Sequence, residues 1–139
     1  MFEIRYVSEA DRSFWFTLDP RFCAHEFERK IRDKRGYVIS AADGPIGIMR
    51  YNLLWDSTPF LTLIYITKPY RCMGYGRQAM LFWENEMCAL GYKVVMTSTQ
   101  VDEQAQYFYR KLGYIDRGGI FLDHTPLAQP QEMFMLKII

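Results

Sequence analysis

Apolar and polar residues alternate through Phe2-Glu3-Ile4-Arg5-Tyr6-Val7, the period of a strand with one buried face. Ser8 then precedes Glu9, Ala10 and Asp11, a capping-box helix start with Asp11 in the usual Glu position. That helix must end before Pro20, because proline disfavours helical backbone in the residue ahead of it. A second helix is expected over 22–34, with Phe22, Phe27 and Ile31 turned inward and Gly36 ending it. Residues 37–41 and 46–54 read as strands joined at Asp43-Gly44, a strong hairpin signal. A turn over 55–59 leads to the apolar strand 61–66.

The turn Thr67-Lys68-Pro69-Tyr70 and the run Arg71-Cys72-Met73-Gly74-Tyr75-Gly76 come next. A helix opening near Arg77 carries Ala79, Trp83, Met87 and Leu90 on one face, with Gly91 as its cap. Residues 93–99 form another strand. Val101, Ala105, Phe108 and Leu112 then recur at i, i+4, i+7 and i+11, which predicts an amphipathic helix ending at Gly113. The last two strands, 114–122 and 133–139, flank a proline-containing loop at 123–131. The order is β-α-α-β-β-β-α-β-α-β-β. The strand–helix–strand unit around Gly74 implies a parallel pair with a right-handed crossover, while the hairpins make their neighbours antiparallel. The expected fold is α/β, a mixed sheet covered by helices, in a single domain over 1–139.

A chain of 139 residues buries a core without help from metal or disulfide. Half hydrophobic and 24% charged, it has the composition of a soluble globular domain, and its 17% aromatics belong first to the core. A net charge of +1 without a basic stripe excludes a general nucleic-acid binder. The basic run 29–35 contains Asp33 and reads as the solvated end of a helix. No apolar run reaches membrane-spanning length, and no signal-peptide pattern opens the chain, so no membrane partner is expected. Cys23, Cys72 and Cys88 are odd in number and lack C-x-x-C spacing, which points to the reducing cytoplasm. His25 and His124 stand far apart and no H-E-x-x-H occurs, so no metal is expected.

The chemistry concentrates at the junction after the 61–66 strand. A helix start presents unpaired N–H groups and the positive end of the peptide dipoles. Gly74 and Gly76 let the backbone approach a ligand closely, and Arg71 adds a charge suited to phosphate oxygens. The loop therefore suits a phosphate or pyrophosphate. Gly74-Tyr75-Gly76-Arg77-Gln78-Ala79 also fits the dinucleotide pattern G-x-G-x-x-G/A. That reading wants its first glycine close behind the strand and an acid after the next one; Pro69 intervenes here, and 96–98 hold no acid. No Gly-Lys-Ser/Thr follows, so a Walker loop is excluded.

Arg71-x-x-Gly74-x-Gly76 behind Ile64-Tyr65-Ile66 resembles the acetyl-CoA loop of the GNAT superfamily of N-acetyltransferases. Downstream, Ala105-Gln106-Tyr107-Phe108-Tyr109-Arg110-Lys111-Leu112-Gly113-Tyr114 is similar to that family's "A-x-x-F-Y-x-K-L-G-F" helix. The element order fits as well. The resemblance implies about seven strands, mostly antiparallel around a central parallel pair, with four helices on the faces. It implies acetyl-CoA as cosubstrate, its pyrophosphate held by the loop of Arg71, Cys72, Met73, Gly74, Tyr75, Gly76 and Arg77. The Tyr65 and Ile66 backbone would pair with the pantetheine arm where the parallel strands splay, and the Ile66 N–H is an oxyanion donor by the same resemblance. Tyr109 matches the tyrosine that protonates the departing thiolate, beside Ala105 on the same helix. Asp102 stands where the family has asparagine, and Pro69 is displaced by one position from the family's turn.

Acetyl transfer from a thioester needs a neutral amine, a stabilised oxyanion and a thiol leaving group. A phenol of pKa about 10 can protonate a thiolate of pKa about 8.5. Asp56, Glu103, His124 and Glu132 are candidate bases, alongside a water relay. Cys72, although near a helix start, has no covalent role in direct transfer, and Cys88 is expected in the core. By the same resemblance, 14–28 and 123–131 frame the acceptor, expected to be a small-molecule amine ahead of a protein or peptide. A non-catalytic sensor that binds acetyl-CoA is the alternative, and exposed aromatics would suit a homodimer.

Overall fold

The computed structural model describes residues 1–139. Its strands are β1 (Glu3–Tyr6), β2 (Gly36–Ala41), β3 (Gly44–Leu54), β4 (Thr58–Ile66), β5 (Val94–Gln100), β6 (Ile115–Ile120) and β7 (Glu132–Ile138). Its helices are α1 (Arg12–Leu18), α2 (Ala24–Asp33), α3 (Tyr75–Ala89) and α4 (Ala105–Lys111), with short 3-10 turns at Glu9–Asp11 and Lys68–Tyr70. The seven strands make one sheet of order β1-β2-β3-β4-β5-β7-β6. The β4–β5 pair is parallel, through Phe60↔Met96 and Leu61↔Thr97. Both the element order and the mixed sheet are those expected from the hydrophobic pattern.

The chain divides into two compact units, Met1–Asn52 with Thr62–Asn85, and Leu53–Leu61 with Glu86–Ile139. In the first, β2 and β3 pair antiparallel with Val38 opposite Ile48. These two, with Val7, Trp15 of α1 and Phe27 of α2, make a buried cluster edged by Phe14, Phe22, Ile31 and Leu63. Side chains alternate along a strand, so Tyr37 and Tyr51 face the other way. There Tyr37 meets Phe82 edge-on at 6.2 Å and Tyr51 lies 5.7 Å from Trp83, both on α3. Helices α1 and α2 thus cover one face of these strands and α3 the other.

The expected capping box, Ser8 with Asp11, opens the 3-10 turn that leads into helix α1, and α1 stops at Leu18, ahead of Pro20. Asp11 is buried; its carboxylate accepts from the Ser8 N–H at 2.8 Å and from both Arg5 terminal nitrogens at 2.8 Å. Arg5, foremost, holds the Asp11 carboxyl below the usual aspartate range. A lowered acid stabilises the fold fully above its ordinary pKa, and that stability is lost as pH falls through the lowered value. Asp11→Ala is expected to cost about 1–2 kcal/mol at pH 7, a modest figure because Arg5 lies open to water. In urea unfolding the gap between variant and parent should shrink as pH drops below about 4.

Helix α2 does not end at Gly36. Lys34 takes the left-handed conformation (φ 56°), and the Lys34 and Arg35 N–H groups return to the carbonyls of Ile31 and Lys30. Gly36 opens β2 instead, where a Cβ would sit 2.9 Å from Val7 Cγ1. The 29–35 run is not wholly solvated either. Lys30 is buried, and its ammonium donates to the Tyr51 carbonyl at 2.9 Å and to Asn52 Oδ1. Burial, then the charge of Arg50, pulls its pKa down to about 8.

In the second unit β5 pairs antiparallel with β7 along its whole length. Leu61, Met87, Val95, Met96, Tyr109 and Met135 are buried. At the end of α3, Gly91 (φ 96°) is the left-handed cap: its N–H reaches the Cys88 carbonyl and that of Tyr92 reaches Met87. Leu90 therefore lies past the helix and is exposed. Cys88 is exposed too, not in the core; one residue is a turn of about 100° around a helix, and Met87 takes the inward position. Helix α4 is shorter than its pattern. Val101 is exposed in the preceding turn, where Gln106 Nε2 donates to its carbonyl at 2.9 Å and to that of Glu103 at 2.8 Å. No helix is long and apolar enough to cross a membrane.

Candidate active site

The first unit carries the loop. Helix α3 opens at Tyr75, two residues ahead of expectation, and its first backbone bond runs from the Gln78 N–H to the Gly74 carbonyl at 3.0 Å. The N–H groups of Tyr75, Gly76 and Arg77 thus have no acceptor within the helix. Gly74 has φ 87° and open space where a Cβ would stand. Cys72 also has positive φ (61°), an unfavourable conformation for a residue with a side chain, and is exposed, as is Met73.

Arg71 folds back: its Nε donates to the Ile66 carbonyl at 2.8 Å and its guanidinium lies 5.1 Å from the Tyr65 ring centre. That leaves its two terminal nitrogens for an anion. The Tyr65 carbonyl faces β3, since a Cβ on Gly47 would stand 2.5 Å from it, and the Thr67 N–H reaches the Ile46 carbonyl at 2.8 Å. Backbone groups alternate along a strand, so Ile66 presents its own to the opposite edge. Sequence reasoning missed the braces of this loop. Tyr75 is flanked by Phe2 (6.4 Å, stacked) and Tyr70 (6.2 Å, edge-on), and the Tyr70 hydroxyl donates to Asp43 Oδ2 at 3.2 Å.

The second unit carries Asp102, exposed in the turn before α4, Ala105 at its first position, and Tyr109. Tyr109 is 6% exposed and meets the Tyr114 ring edge-on at 5.7 Å. Burial raises its pKa above the ordinary phenol value; the Thr97 hydroxyl works against that rise, and the charge of Glu103 adds to it. The phenol is therefore protonated at neutral pH.

Among the candidate bases, Glu103 Oε1 accepts from the Gln100 N–H at 3.0 Å and Glu132 Oε1 from Gln129 Nε2 at 2.9 Å. Asp56 sits in the exposed turn before β4, and His124 is exposed 3.5 Å from Asp123. No cluster of His, Cys, Asp and Glu is placed to hold a metal ion.

The family model described as "Acetyltransferase (GNAT) family" matches residues 4–114. No curated protein matches by sequence. Among solved structures, a Bacillus anthracis protein assigned as a streptothricin acetyltransferase, in complex with acetyl coenzyme A, superposes with a TM-score of 0.85 at 16% identity, covering 100% of this chain and 99% of its own. The ribosomal-protein-S18-alanine N-acetyltransferase of Escherichia coli gives 0.82 at 14% identity, covering 100% and 94%. The spermidine/spermine N-acetyltransferase of Vibrio cholerae gives 0.79 at 15% identity, covering 99% and 92%. At such identities the likeness is one of fold; the family model spans most of the chain, both signature segments included, and this chain belongs to the GNAT family of acetyltransferases.

Proposed function

We propose that this protein moves an acetyl group from acetyl-CoA to a primary amine by direct transfer. The free N–H groups of Tyr75, Gly76 and Arg77, with the outer nitrogens of Arg71, hold the diphosphate, and the Ile66 backbone, turned away from β3, receives the pantetheine arm. The observation that carries the reading is Tyr109, a buried phenol kept protonated at neutral pH on the helix that bears the family's second signature. As the amine attacks the thioester carbonyl, the carbon–sulfur bond breaks and Tyr109 gives its proton to the departing thiolate. The amine's own proton leaves to solvent.

For the acceptor we favour a small molecule with a single amine over a polyamine. Glu9, Glu26 and Glu28 around α1 and α2 all engage arginines, so this region offers no spare carboxylates for several ammonium groups. Three unpaired cysteines fit a cytoplasmic setting. A thiol-release assay with acetyl-CoA and a panel of monoamines, polyamines, aminoglycosides, amino acids and peptides tests the reading. Release above the blank with a small monoamine supports it. Binding of acetyl-CoA without release from any acceptor would identify a sensor instead.

A further inference from the structure

Cys72 and Gly74 both have positive φ, 61° and 87°, so the turn that leads into α3 is left-handed at two places. A residue with a side chain keeps that conformation only where its surroundings over-determine it. Here the surroundings come from the β2–β3 hairpin and from the start of the chain. Ahead of the turn, the Thr67 N–H donates to the Ile46 carbonyl of β3 at 2.8 Å. The Tyr70 hydroxyl donates at 3.2 Å to Oδ2 of Asp43, at the hairpin tip. Beyond the turn, the Tyr75 ring meets Tyr70 edge-on at 6.2 Å and stacks on Phe2 at 6.4 Å. Phe2 is fixed in its turn by β1, whose Glu3 pairs with Ser40 of β2. Tyr70 thus touches both ends: its hydroxyl reaches the hairpin and its ring reaches the first residue of α3.

We propose that Tyr70 is a positioning residue for the cosubstrate: tied to Asp43, it holds Tyr75 and so keeps the free amides at the head of α3 in the arrangement that receives a diphosphate. The proposal rests on the acetyl-CoA reading above. A phenol that donates to a carboxylate makes a charge-assisted bond, stronger than a neutral pair. That bond, foremost, lifts the Tyr70 phenol above its ordinary pKa, so the hydroxyl remains a donor throughout the neutral range. Charge and geometry pull in opposite directions at Asp43. As a bare negative charge it disfavours an anion nearby. As the anchor of Tyr70 it sets the turn before the ligand arrives, and a preformed site has less ordering to complete on binding.

Titration calorimetry with acetyl-CoA and with acetyl-pantetheine separates the two. Tyr70→Phe keeps the ring and loses the bond; Asp43→Ala loses it from the other side; Asp43→Asn keeps an oxygen acceptor without the charge. Tyr70→Phe and Asp43→Ala should each weaken acetyl-CoA binding about three- to ten-fold. Their double variant should lose no more than either single one, since the two side chains act as one unit. Asp43→Asn should bind acetyl-CoA at least as tightly as the parent. Acetyl-pantetheine, which has no diphosphate, should bind every variant alike. Independently of binding, the phenolate absorbance of Tyr70, taken as the difference from Tyr70→Phe, should appear at lower pH in Asp43→Ala. Parental affinity in Tyr70→Phe, tighter binding in Asp43→Ala, an equal loss for acetyl-pantetheine, or an unmoved phenol titration would each overturn the proposal. The single variants break the bond from opposite sides, so misfolding of one leaves the other to decide. No acceptor is needed: a parent that binds acetyl-CoA but releases no thiol fails the transfer reading alone, and a parent that binds none fails both.

Discussion

Tyr109→Phe should lower the turnover number by roughly 10²–10⁴-fold, about 3–5 kcal/mol of barrier, while acetyl-CoA binds as before. The change removes one oxygen from a buried position and leaves the ring and its edge-on contact with Tyr114 in place. Stability should fall by no more than about 1 kcal/mol, since the ring and its packing stay. Steady-state kinetics at saturating cosubstrate, beside calorimetric titration of acetyl-CoA, separates the two effects. Without the phenol the thiolate must take its proton from water, so a faster rate with thioesters of more acidic thiols is also expected. An unchanged turnover number would return Tyr109 to the core as a packing residue.

The second large effect is structural. Gly47→Ala should destabilise the protein by about 3 kcal/mol, at the upper end of overpacking costs. A methyl at Gly47 would stand 2.5 Å from the Tyr65 carbonyl and 2.8 Å from Ile66 Cδ1, and backbone cannot swing aside as a side-chain tip can. The displaced segment is the end of β4 that Arg71 braces, so acetyl-CoA affinity should fall along with stability. Gly44→Ala is the matched control. Gly44 has φ 114° but nothing within 4 Å of an added Cβ, so only backbone strain of about 1–2 kcal/mol applies, and affinity should hold. Chemical unfolding and binding measured on both proteins distinguish a close contact from a general weakening; equal losses in the two would contradict the contact.

Much of the architecture was legible because local chemistry and global fold agree. The Asp43-Gly44 hairpin, the Ser8–Asp11 cap, Pro20, Gly91 and Gly113 each mark a boundary that their own backbone preferences impose. The departures share a cause: they depend on neighbours remote in sequence. Lys30 looks like one more surface cation until Tyr51 and Asn52 supply acceptors for it. Lys34 does a glycine's work at the end of α2, because the bonds back to Ile31 and Lys30 offset its strain. Val101 keeps helical spacing with Ala105 but is drawn into a turn by the Gln131 carbonyl, 3.0 Å from its N–H. At the candidate site, glycines and Arg71 announce themselves as types. The partner that orients Arg71, the Ile66 carbonyl, is placed by the path of the chain, which no short motif encodes.

If the backbone amides at the start of α3 grip a diphosphate, acetyl-CoA binds largely through that group. Titration calorimetry with acetyl-CoA against acetyl-pantetheine, which has the same thioester and no diphosphate, tests it most directly. The expected result is clear heat from acetyl-CoA and affinity at least ~100-fold weaker for acetyl-pantetheine, about 2.7 kcal/mol. Equal affinity for the two, or no heat from acetyl-CoA, would contradict it.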